Sequence, residues 1–309
     1  MRPEVLLTKP VGKPCLAALG ETFEVHSLAG AADADALLDQ VGPRIRGIAG
    51  GKVSAALMAR LPALEIIANS GVGVDSIDLD AARARGIRVT NTPGVLDDAV
   101  AELTIGLMLA LARRLVETDA FVRAGRWAAG QFPPTTQLAG STLGLLGLGR
   151  IGSGIAARAA AMKMRVLYHS RSPKPDQPYE YCGDILDLAR RADWLVVILP
   201  GGAATEGIVS RAVLEALGPE GHLVNVGRGS MVDEDALIEM LADGRLGGAA
   251  LDVFRGEPNI NPALQQSDRV VLSPHQGSRT RQTRAAIEAL MLDNLRAHFA
   301  GLPLPTPVI

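Results

Sequence analysis

Residues 144–162, GLLGLGRIGSGIAARAAAM, join an apolar strand to an alanine-rich helix through three glycines in GxGxxG spacing. In this order Gly147 permits a tight turn, Gly149 lets a pyrophosphate approach the backbone, and Gly152 lets the helix pack closely on the strand. The anion then meets unpaired N–H groups at the helix N-terminus. Glycine turns without a ligand are common, but a further apolar run at 165–170 completes the strand–helix–strand context. The segment therefore predicts a dinucleotide-binding α/β unit.

Short apolar runs of the kind that form strands alternate with helical patterns along the whole chain. The runs are residues 5–8, 23–28, 45–50, 65–70, 87–92, 142–147, 165–170, 194–200, 222–227, 248–254 and 270–274. Such alternation is typical of parallel sheets with helices on both faces. With 309 residues the chain also exceeds the usual size of one hydrophobic core. We therefore expect an α/β protein with two doubly wound parallel-sheet domains.

The segments outside these runs carry their own signals. Residues 99–125 predict one long amphipathic helix, and its most apolar part, 103–112, is too short to span a bilayer and fits a buried helix. Residues 126–140 lack periodicity and predict a loop. A last helix is expected over 280–300, because Gly301 and a proline-rich tail follow it.

Composition excludes several classes of partner. Lys and Arg number 31 against 33 Asp and Glu, a net charge of -2 without a basic stripe, so nucleic acid is not expected. Cys15 and Cys182 have no CxxC motif and no nearby histidine pair, which predicts buried thiols in a reducing compartment and no metal site. The N-terminal apolar run is too short for a signal peptide. These features together predict a cytoplasmic protein without a membrane partner.

The strand at 165–170 ends in the sequence HSRS, where an NAD site places Asp or Glu to hold the ribose 2′-OH. Ser170 and Arg171 stand there instead. A hydroxyl and a guanidinium bind a 2′-phosphate through charge-assisted hydrogen bonds, whereas a carboxylate would repel it. A solvated surface arginine is the plain alternative. Because the acid is missing, we interpret HSRS as a selector for NADP(H), with Lys174 adding positive field.

An enzyme that reduces a carbonyl with a nicotinamide needs a proton donor. The chain has five histidines, and His275 alone stands just past a strand at the edge where ligands collect. His26 and His298 lie in the outer segments, His169 lies at the adenosine end, and His222 opens a strand. His275 is therefore the candidate proton donor.

Arg228 and Glu257 follow the two strands that precede the His275 strand, so all three side chains are expected at one sheet edge. A guanidinium pairs with the planar anion of a 2-oxoacid in bidentate fashion while hydride arrives at C2. A carboxylate beside a histidine favours its protonated form. The three residues predict reduction of a 2-oxoacid.

The segments GLGRIG, NVGRGSMVDEDAL, GAALDVFRGEP and LSPHQGS, together with residues 69–109, resemble the D-isomer-specific 2-hydroxyacid dehydrogenase family over nearly the whole chain. RSPKP, LGPEGHLVNVGRG and the tail LPLPTPVI are most similar to its NADPH-preferring glyoxylate/hydroxypyruvate and hydroxyphenylpyruvate reductase branch. The resemblance implies a flavodoxin-like substrate domain of residues 1–98 and 284–309 and a central Rossmann domain of residues 99–283. It also implies a cleft between the domains and a homodimer formed through the central domain.

The resemblance assigns roles to individual residues. It implies that Arg228 binds the substrate carboxylate and carbonyl, that His275 protonates the developing alkoxide, and that Glu257 keeps the imidazole protonated. The backbone N–H groups of Val72 and Gly73 are expected to grip the carboxylate. Asp252 fits the family position near the nicotinamide carboxamide, with a buried strand-end aspartate as the open alternative. The wider set of expected cofactor contacts is Thr104, Leu148, Arg150, Ile151, Ser172, Leu199, Pro200, Val226, Gly227 and Gly277.

Two features leave the size of the substrate open. Gln276 departs from the small or apolar residue expected after the histidine. Trp127 and Phe132 carry large apolar rings in the loop 126–140, and such rings are expected to be buried against other residues. Either the loop packs on its own core, or it reaches across the dimer and Phe132 lines the partner's substrate site.

Reduction of glyoxylate or hydroxypyruvate is the predicted activity, and reduction of hydroxyphenylpyruvate or 2-ketogluconate is the alternative within the family. An L-specific malate or lactate dehydrogenase would carry GxGxxG near its N-terminus. Formate and phosphite dehydrogenases usually carry an acid where HSRS stands. A non-catalytic nucleotide-sensing corepressor is the alternative from another class, and the presence of Arg228, Glu257 and His275 favours an enzyme.

Overall fold

The computed structural model describes residues 2–309 and divides the chain into two compact units. Unit 1 comprises the residues up to Leu96 together with Thr280–Ile309, and unit 2 comprises Asp97–Arg279. These boundaries lie two and four residues before those expected from the sequence. They shift because a helix of unit 2 begins at Asp97, and because Thr280 caps the last helix of unit 1.

Unit 1 is a five-stranded sheet whose strands all run parallel in the order β2-β1-β3-β4-β5. Its strands are β1 Glu4–Leu7, β2 Glu24–Ser27, β3 Ile45–Gly50, β4 Ile66–Asn69 and β5 Arg88–Thr90. Its first helices are α1 Lys13–Thr22, α2 Ala34–Val41, α3 Ala55–Ala59 and α4 Leu79–Ala84. Alternate residues of the central strands enter two separate apolar clusters, one on each face, as both-sided burial of a parallel sheet requires.

Unit 2 is a seven-stranded parallel sheet in the order β12-β11-β10-β9-β6-β7-β8. The strands are β6 Thr142–Leu146, β7 Arg165–His169, β8 Glu180–Tyr181, β9 Trp194–Val197, β10 His222–Asn225, β11 Gly248–Leu251 and β12 Val270–Leu272. Its helices are α5 Asp97–Ala112, α6 Leu115–Arg123, α7 Arg150–Ala161, α8 Ile185–Arg191, α9 Arg211–Leu217, α10 Glu234–Ala242 and α11 Pro262–Gln266. The chain returns to unit 1 through α12 Arg281–Phe299.

The direction of winding in unit 2 reverses between β6 and β9, which are neighbours in the sheet. Ligands of doubly wound sheets bind outside the carboxyl ends of the strands at such a switch point. The predicted fold class, two doubly wound parallel sheets, is confirmed. The sequence missed only β8, because a strand of two residues leaves no apolar run.

The predicted single helix over 99–125 is wrong, because the structure divides it into α5 and α6. The break lies at Arg114, whose φ of 48° is left-handed and cannot continue a right-handed helix. The Arg114 guanidinium lies 5.0 Å from the centre of the Phe132 ring, so tertiary packing accompanies the break. The apolar part of α5 is buried, as expected. Within residues 2–309, no helix is both long and apolar enough to cross a membrane.

The loop 126–140 begins with a short 3-10 turn at Arg126–Ala129. Phe132 packs edge-on against Phe121 of α6, with 5.4 Å between the ring centres. The loop is thus anchored on its own unit through Phe132, whereas Trp127 is 60% exposed.

Candidate active site

The glycine turn after β6 has the backbone that the GxGxxG spacing predicts. Gly147 has a φ of 106°, and a Cβ there would lie 2.4 Å from the carbonyl oxygen of Ile198. A Cβ on Gly152 would lie 2.1 Å from the carbonyl oxygen of Gly147, so the first turn of α7 touches the strand end directly. A Cβ on Gly149 would meet no atom within 4 Å. The two outer glycines are therefore required by packing, and the middle one faces open space at the N-terminus of α7, where a pyrophosphate fits.

The turn that follows β7 is fixed by hydrogen bonds of its own. The Ser170 hydroxyl donates to the carbonyl of Ser172 at 2.7 Å, and the Tyr181 hydroxyl donates to the carbonyl of Ser170 at 3.2 Å. The N–H of Lys174 donates to the hydroxyl oxygen of buried Tyr168 at 2.7 Å. These contacts give the HSRS turn a defined backbone.

Arg171 projects from this fixed turn and is exposed. Within residues 2–309 its guanidinium forms no hydrogen bond or ion pair. Several other arginines of unit 2 are paired with a carboxylate, for example Arg158 with Asp98 at 2.8 Å. The Ser170 hydroxyl already donates its hydrogen bond to the Ser172 carbonyl. Arg171 is therefore the principal group left to bind a phosphate here.

Arg228 follows β10 in a turn that the buried strand-end residue Asn225 organises. The Asn225 side chain donates to the carbonyl of Arg228 at 2.9 Å and accepts from the N–H of Gly227 at 3.1 Å. A Cβ on Gly229 would lie 2.0 Å from the carbonyl carbon of Phe254, so this turn packs directly on the loop after β11. Sequence reasoning missed Asn225, and the signal was a lone polar residue closing the apolar run LVNV.

Glu257 and His275 come from the loops after β11 and β12, and the structure brings them into contact. His275 Nδ1 lies 2.8 Å from Glu257 Oε2, and the N–H of Phe254 donates to Glu257 Oε1 at 2.9 Å. The His275 side chain is 50% exposed. With Nδ1 occupied by the carboxylate, Nε2 is the ring nitrogen that is left for another partner.

The charges of this cluster support one another. Burial raises the pKa of Glu257, but the hydrogen bonds from His275 and from the Phe254 N–H, with the positive charges of His275 and Arg228, lower it further than burial raises it. The net pKa of Glu257 therefore lies below its ordinary value. The carboxylate is ionised near neutral pH, and it lies within electrostatic range of both Arg228 and His275.

Asp252 immediately follows β11 and is fully buried. Its Oδ1 accepts from the Ser273 hydroxyl at 2.6 Å and from the Gln276 N–H at 2.7 Å, and its Oδ2 accepts from the Gly277 N–H at 2.8 Å. The His275 N–H donates to the Asp252 carbonyl at 2.9 Å, and His275 has a left-handed φ of 53°. Asp252 therefore fixes the loop that carries His275, as expected of the buried strand-end aspartate that was the open alternative. Its contact with the nicotinamide stays a prediction.

The other four histidines are engaged away from this cluster. His26 and His298 pair with Glu4 and Glu65 in unit 1 at 2.9 and 3.1 Å. His169 Nδ1 lies 2.9 Å from the carbonyl oxygen of Cys182. His222 opens β10 and stacks on Trp194, with 4.3 Å between the ring centres.

Most of the wider cofactor set lies after the carboxyl ends of the unit 2 strands. Leu148, Arg150 and Ile151 follow β6, Ser172 follows β7, Leu199 and Pro200 follow β9, Val226 and Gly227 follow β10, and Gly277 follows β12. Leu148 and Val226 are buried, so only their backbone is offered to a ligand. Thr104 lies inside α5 with 0% exposure, and its hydroxyl donates to the carbonyl of Val100 at 2.7 Å. Its packing gives no support to a cofactor contact.

Val72 and Gly73 belong to unit 1, in the loop after β4. The side chain of buried Asn69 donates to the carbonyls of Gly71 and Gly73, both at 2.9 Å, and the Asn91 side chain donates to the carbonyl of Val72 at 2.9 Å. In a trans peptide the N–H points opposite to the preceding C=O. Fixing these carbonyls therefore turns the N–H groups of Val72 and Gly73 the other way. Within residues 2–309 neither N–H group forms a hydrogen bond, which suits them to bind an anion.

The pKa of Glu257 provides a test of the cluster that needs no assay of activity. We expect it below the ordinary value of 4.5 and expect the His275→Asn variant to raise it, because the variant removes a positive partner. Since the folded pKa is the lower one, the stability that this group contributes is present above the ordinary pKa and is lost as the pH falls through the folded value. Carbon-13 NMR titration of the side-chain carboxyls checks this. Glu239, which binds Arg211 and Arg245, is the internal control, and an unmoved Glu257 would contradict the pairing.

Comparison with known proteins places this geometry in a family. The family model of the D-isomer specific 2-hydroxyacid dehydrogenase, NAD binding domain, matches residues 105–277. A glyoxylate/hydroxypyruvate reductase A of Arabidopsis thaliana is 50% identical over 263 residues, which cover 85% of this chain and 84% of the relative. A hydroxyphenylpyruvate reductase of Plectranthus scutellarioides is 47% identical over 268 residues, which cover 86% of each.

A solved structure extends the likeness to the whole chain. It is an NADPH-dependent glyoxylate/hydroxypyruvate reductase from Sinorhizobium meliloti in complex with NADP and malonate. The TM-score is 0.95 at 43% identity, with 100% of this chain and 97% of the other covered. With a family model over more than half of its length and a relative at 50% identity, the chain belongs to the D-isomer specific 2-hydroxyacid dehydrogenase family.

Proposed function

We propose that the protein is an NADPH-dependent reductase of small 2-oxoacids, with glyoxylate and hydroxypyruvate as its substrates. The observation that carries this proposal is the His275–Glu257 pair at 2.8 Å, with the charge of Arg228 beside it at one edge of a parallel sheet. In the proposal, unit 2 binds the cofactor and unit 1 binds the substrate carboxylate. The family model over residues 105–277 and the names of the relatives support it.

The residues present fit a nicotinamide dinucleotide phosphate. Open space above Gly149 at the N-terminus of α7 suits the pyrophosphate, and the unpaired Arg171 suits the 2′-phosphate. When bound, the cofactor supplies the hydride that reaches C2 of the substrate. Asp252 acts in this mechanism by holding the His275 loop in place.

The chain's own groups perform the rest of the reaction. Arg228 binds the carboxylate and the keto oxygen, and the N–H groups of Val72 and Gly73 bind the same carboxylate. As negative charge develops on the keto oxygen, Nε2 of His275 transfers its proton there. The ionised Glu257 stabilises the protonated imidazole before transfer and holds the ring in orientation. The product is a 2-hydroxyacid.

The proposed reaction is tested by following NADPH oxidation with glyoxylate, hydroxypyruvate, pyruvate, 2-ketogluconate and 4-hydroxyphenylpyruvate. We expect turnover of the smaller acids and expect His275→Asn to lower kcat by about two to four orders of magnitude, the usual contribution of a general acid. His298→Asn is the matched control, because it removes a histidine of unit 1 that pairs with Glu65. Turnover of glyoxylate, hydroxypyruvate and pyruvate without turnover of 2-ketogluconate or 4-hydroxyphenylpyruvate would confirm that the substrates are small. Absence of turnover with all five acids would refute the enzyme and favour the nucleotide-sensing alternative.

Cofactor selection is tested at Arg171. We expect a preference for NADPH over NADH of about tenfold or more, or ~1.4 kcal/mol, because the guanidinium meets a 2′-phosphate that NADH lacks. Arg171→Ala should raise the KM for NADPH and leave that for NADH nearly unchanged. Arg190→Ala removes an exposed charge from α8 of the same unit and should alter neither constant. Equal losses with both cofactors in Arg171→Ala would overturn the assignment.

We also propose a homodimer formed through α6 and the following 3-10 turn. Leu115, Val116, Val122 and Trp127 are large apolar side chains with exposed fractions from 51% to 62%, all within thirteen residues of chain. Apolar surface of this density is typical of an interface. Light scattering should give twice the 32.3 kDa mass of the chain. A Val116→Glu variant should shift the mass toward the monomer, and a monomeric wild type would refute the dimer. Phe132 would then approach the partner from its anchor on Phe121.

A cytoplasmic location is the last part of the proposal. Its support is the pair of buried free thiols, Cys15 and Cys182. Recovery of the native protein in the cytosolic fraction of its cells would be the expected outcome, and recovery in a secreted fraction would contradict it.

A further inference from the structure

The C-terminal tail of the chain forms the outer edge of the unit 1 sheet. Beyond α12 the chain turns at Gly301, and its last residues run antiparallel to β5. The Val308 N–H donates to the carbonyl of Val89 at 2.7 Å, and the Val89 N–H donates to the carbonyl of Ile309 at 3.2 Å. β5 is an edge strand of the sheet, so the tail pairs backbone groups that would otherwise be open.

Thr306 makes a different set of contacts from the rest of the tail. Its hydroxyl donates to the carbonyl of Asn91 at 2.5 Å, and its carbonyl accepts from the Asn91 N–H at 3.3 Å. On the other side, the fully buried Asn294 of α12 donates to the Thr306 hydroxyl at 2.9 Å and accepts from its N–H at 3.2 Å. Thr306 is thus held by the helix and in turn holds the backbone of Asn91 at both its N–H and its carbonyl.

The segment that Thr306 holds is the one that orients the anion-binding loop. The Asn91 side chain donates to the carbonyl of Val72 at 2.9 Å, and the N–H of Thr92 donates to the carbonyl of Gly71 at 3.1 Å. The Gly71 carbonyl shares a rigid peptide plane with the Val72 N–H, and the Val72 carbonyl shares one with the Gly73 N–H. Residues 91 and 92 therefore set the direction of both N–H groups together with Asn69, which also donates to the Gly71 carbonyl.

We propose that Thr306 is a positioning residue for substrate binding, acting through Asn91 on the N–H groups of Val72 and Gly73. The inference rests on the proposed function, in which these groups bind the substrate carboxylate. Thr306 touches neither substrate nor cofactor. The tail therefore sets the affinity for the 2-oxoacid, while proton and hydride transfer belong to unit 2. The backbone of Val308 and Ile309 pairs with the open edge of β5, so the hydroxyl of Thr306 is not needed to satisfy the backbone groups of that edge.

The test compares three variants in steady-state kinetics with glyoxylate and hydroxypyruvate. Thr306→Val removes the hydroxyl at nearly constant volume, and with it the hydrogen bonds to the Asn91 carbonyl and from Asn294. It should raise the KM for both acids about threefold to tenfold, because the Asn91 backbone loses the hydroxyl that holds its carbonyl. The kcat and the KM for NADPH should stay within about twofold, because the lost contact serves substrate binding only. Thr306→Ser retains the hydroxyl and should restore the KM. Val308→Ala loses packing on the unit 1 core and should lower Tm without raising the KM.

Two results would overturn the proposal. One is an unchanged KM in Thr306→Val, and the other is an equal rise of KM in Val308→Ala, which would assign the effect to general loss of stability. If Thr306→Val does not fold, Asn91→Ala breaks the same path at its other end and should give the same rise. When both variants fold, the KM of the double variant should not appreciably exceed the KM of either single variant, since both substitutions act on one path.

Failure of the proposed function would look different. In that case the wild-type protein would oxidise NADPH with none of the acids, and the KM comparison would not apply. A crystal structure of Thr306→Val then decides the positioning step alone. Displacement of the Asn91 side chain and of residues 71–73 would support it, and an unchanged loop would overturn it.

Discussion

Parallel strands bring all their carboxyl ends to one edge of a sheet, and most candidate functional groups of this protein depend on that constraint. Arg228, Glu257 and His275 are separated along the chain but follow β10, β11 and β12, which are adjacent. The same rule places the glycine turn after β6, next to the switch point of the unit 2 sheet. In unit 1 the loop that carries Val72 and Gly73 follows β4 in the same way. The chemistry therefore follows from topology before any side chain is considered.

Topology alone leaves the loops free to move, and one buried polar side chain at or next to a strand end removes that freedom in each case. Asn69 ends β4, Asn225 ends β10 and Asp252 follows β11, and each is nearly fully buried. Each bonds the backbone of the loop it fixes, and Asp252 also accepts from the Ser273 hydroxyl. A buried polar group must be satisfied, and here the loop backbone supplies the partners, so the loop has one favourable conformation. Truncating any of the three would leave buried donors or acceptors unpaired.

Much of this could be predicted from the sequence, because strands buried on both faces appear as continuous apolar runs and GxGxxG has a fixed steric meaning. The break at Arg114 could not, since arginine is a good helix former and its left-handed backbone accompanies a tertiary contact with Phe132. Asn225 and Asn69 appear in the sequence only as polar residues at the end of an apolar run, and such a residue has several possible structural roles. The contact between Thr306 and Asn91 spans 215 residues and has no local signal at all. Sequence patterns thus predicted which loops follow the carboxyl ends of the strands, and the structure was needed to find what holds these loops in place.

The two units supply different kinds of electrostatics. Unit 1 offers backbone N–H dipoles at Val72 and Gly73, which do not titrate in the neutral range. Unit 2 offers the side chains of Arg228, Glu257 and His275, which are a guanidinium, a carboxyl and an imidazole. In the proposed mechanism a side chain of unit 2 delivers the proton, whereas backbone N–H groups of unit 1 bind the carboxylate. The lowered pKa of Glu257 keeps its charge constant over the same range. The Glu257 carboxylate is therefore a charged partner for the His275 ring, whose Nδ1 lies 2.8 Å from it.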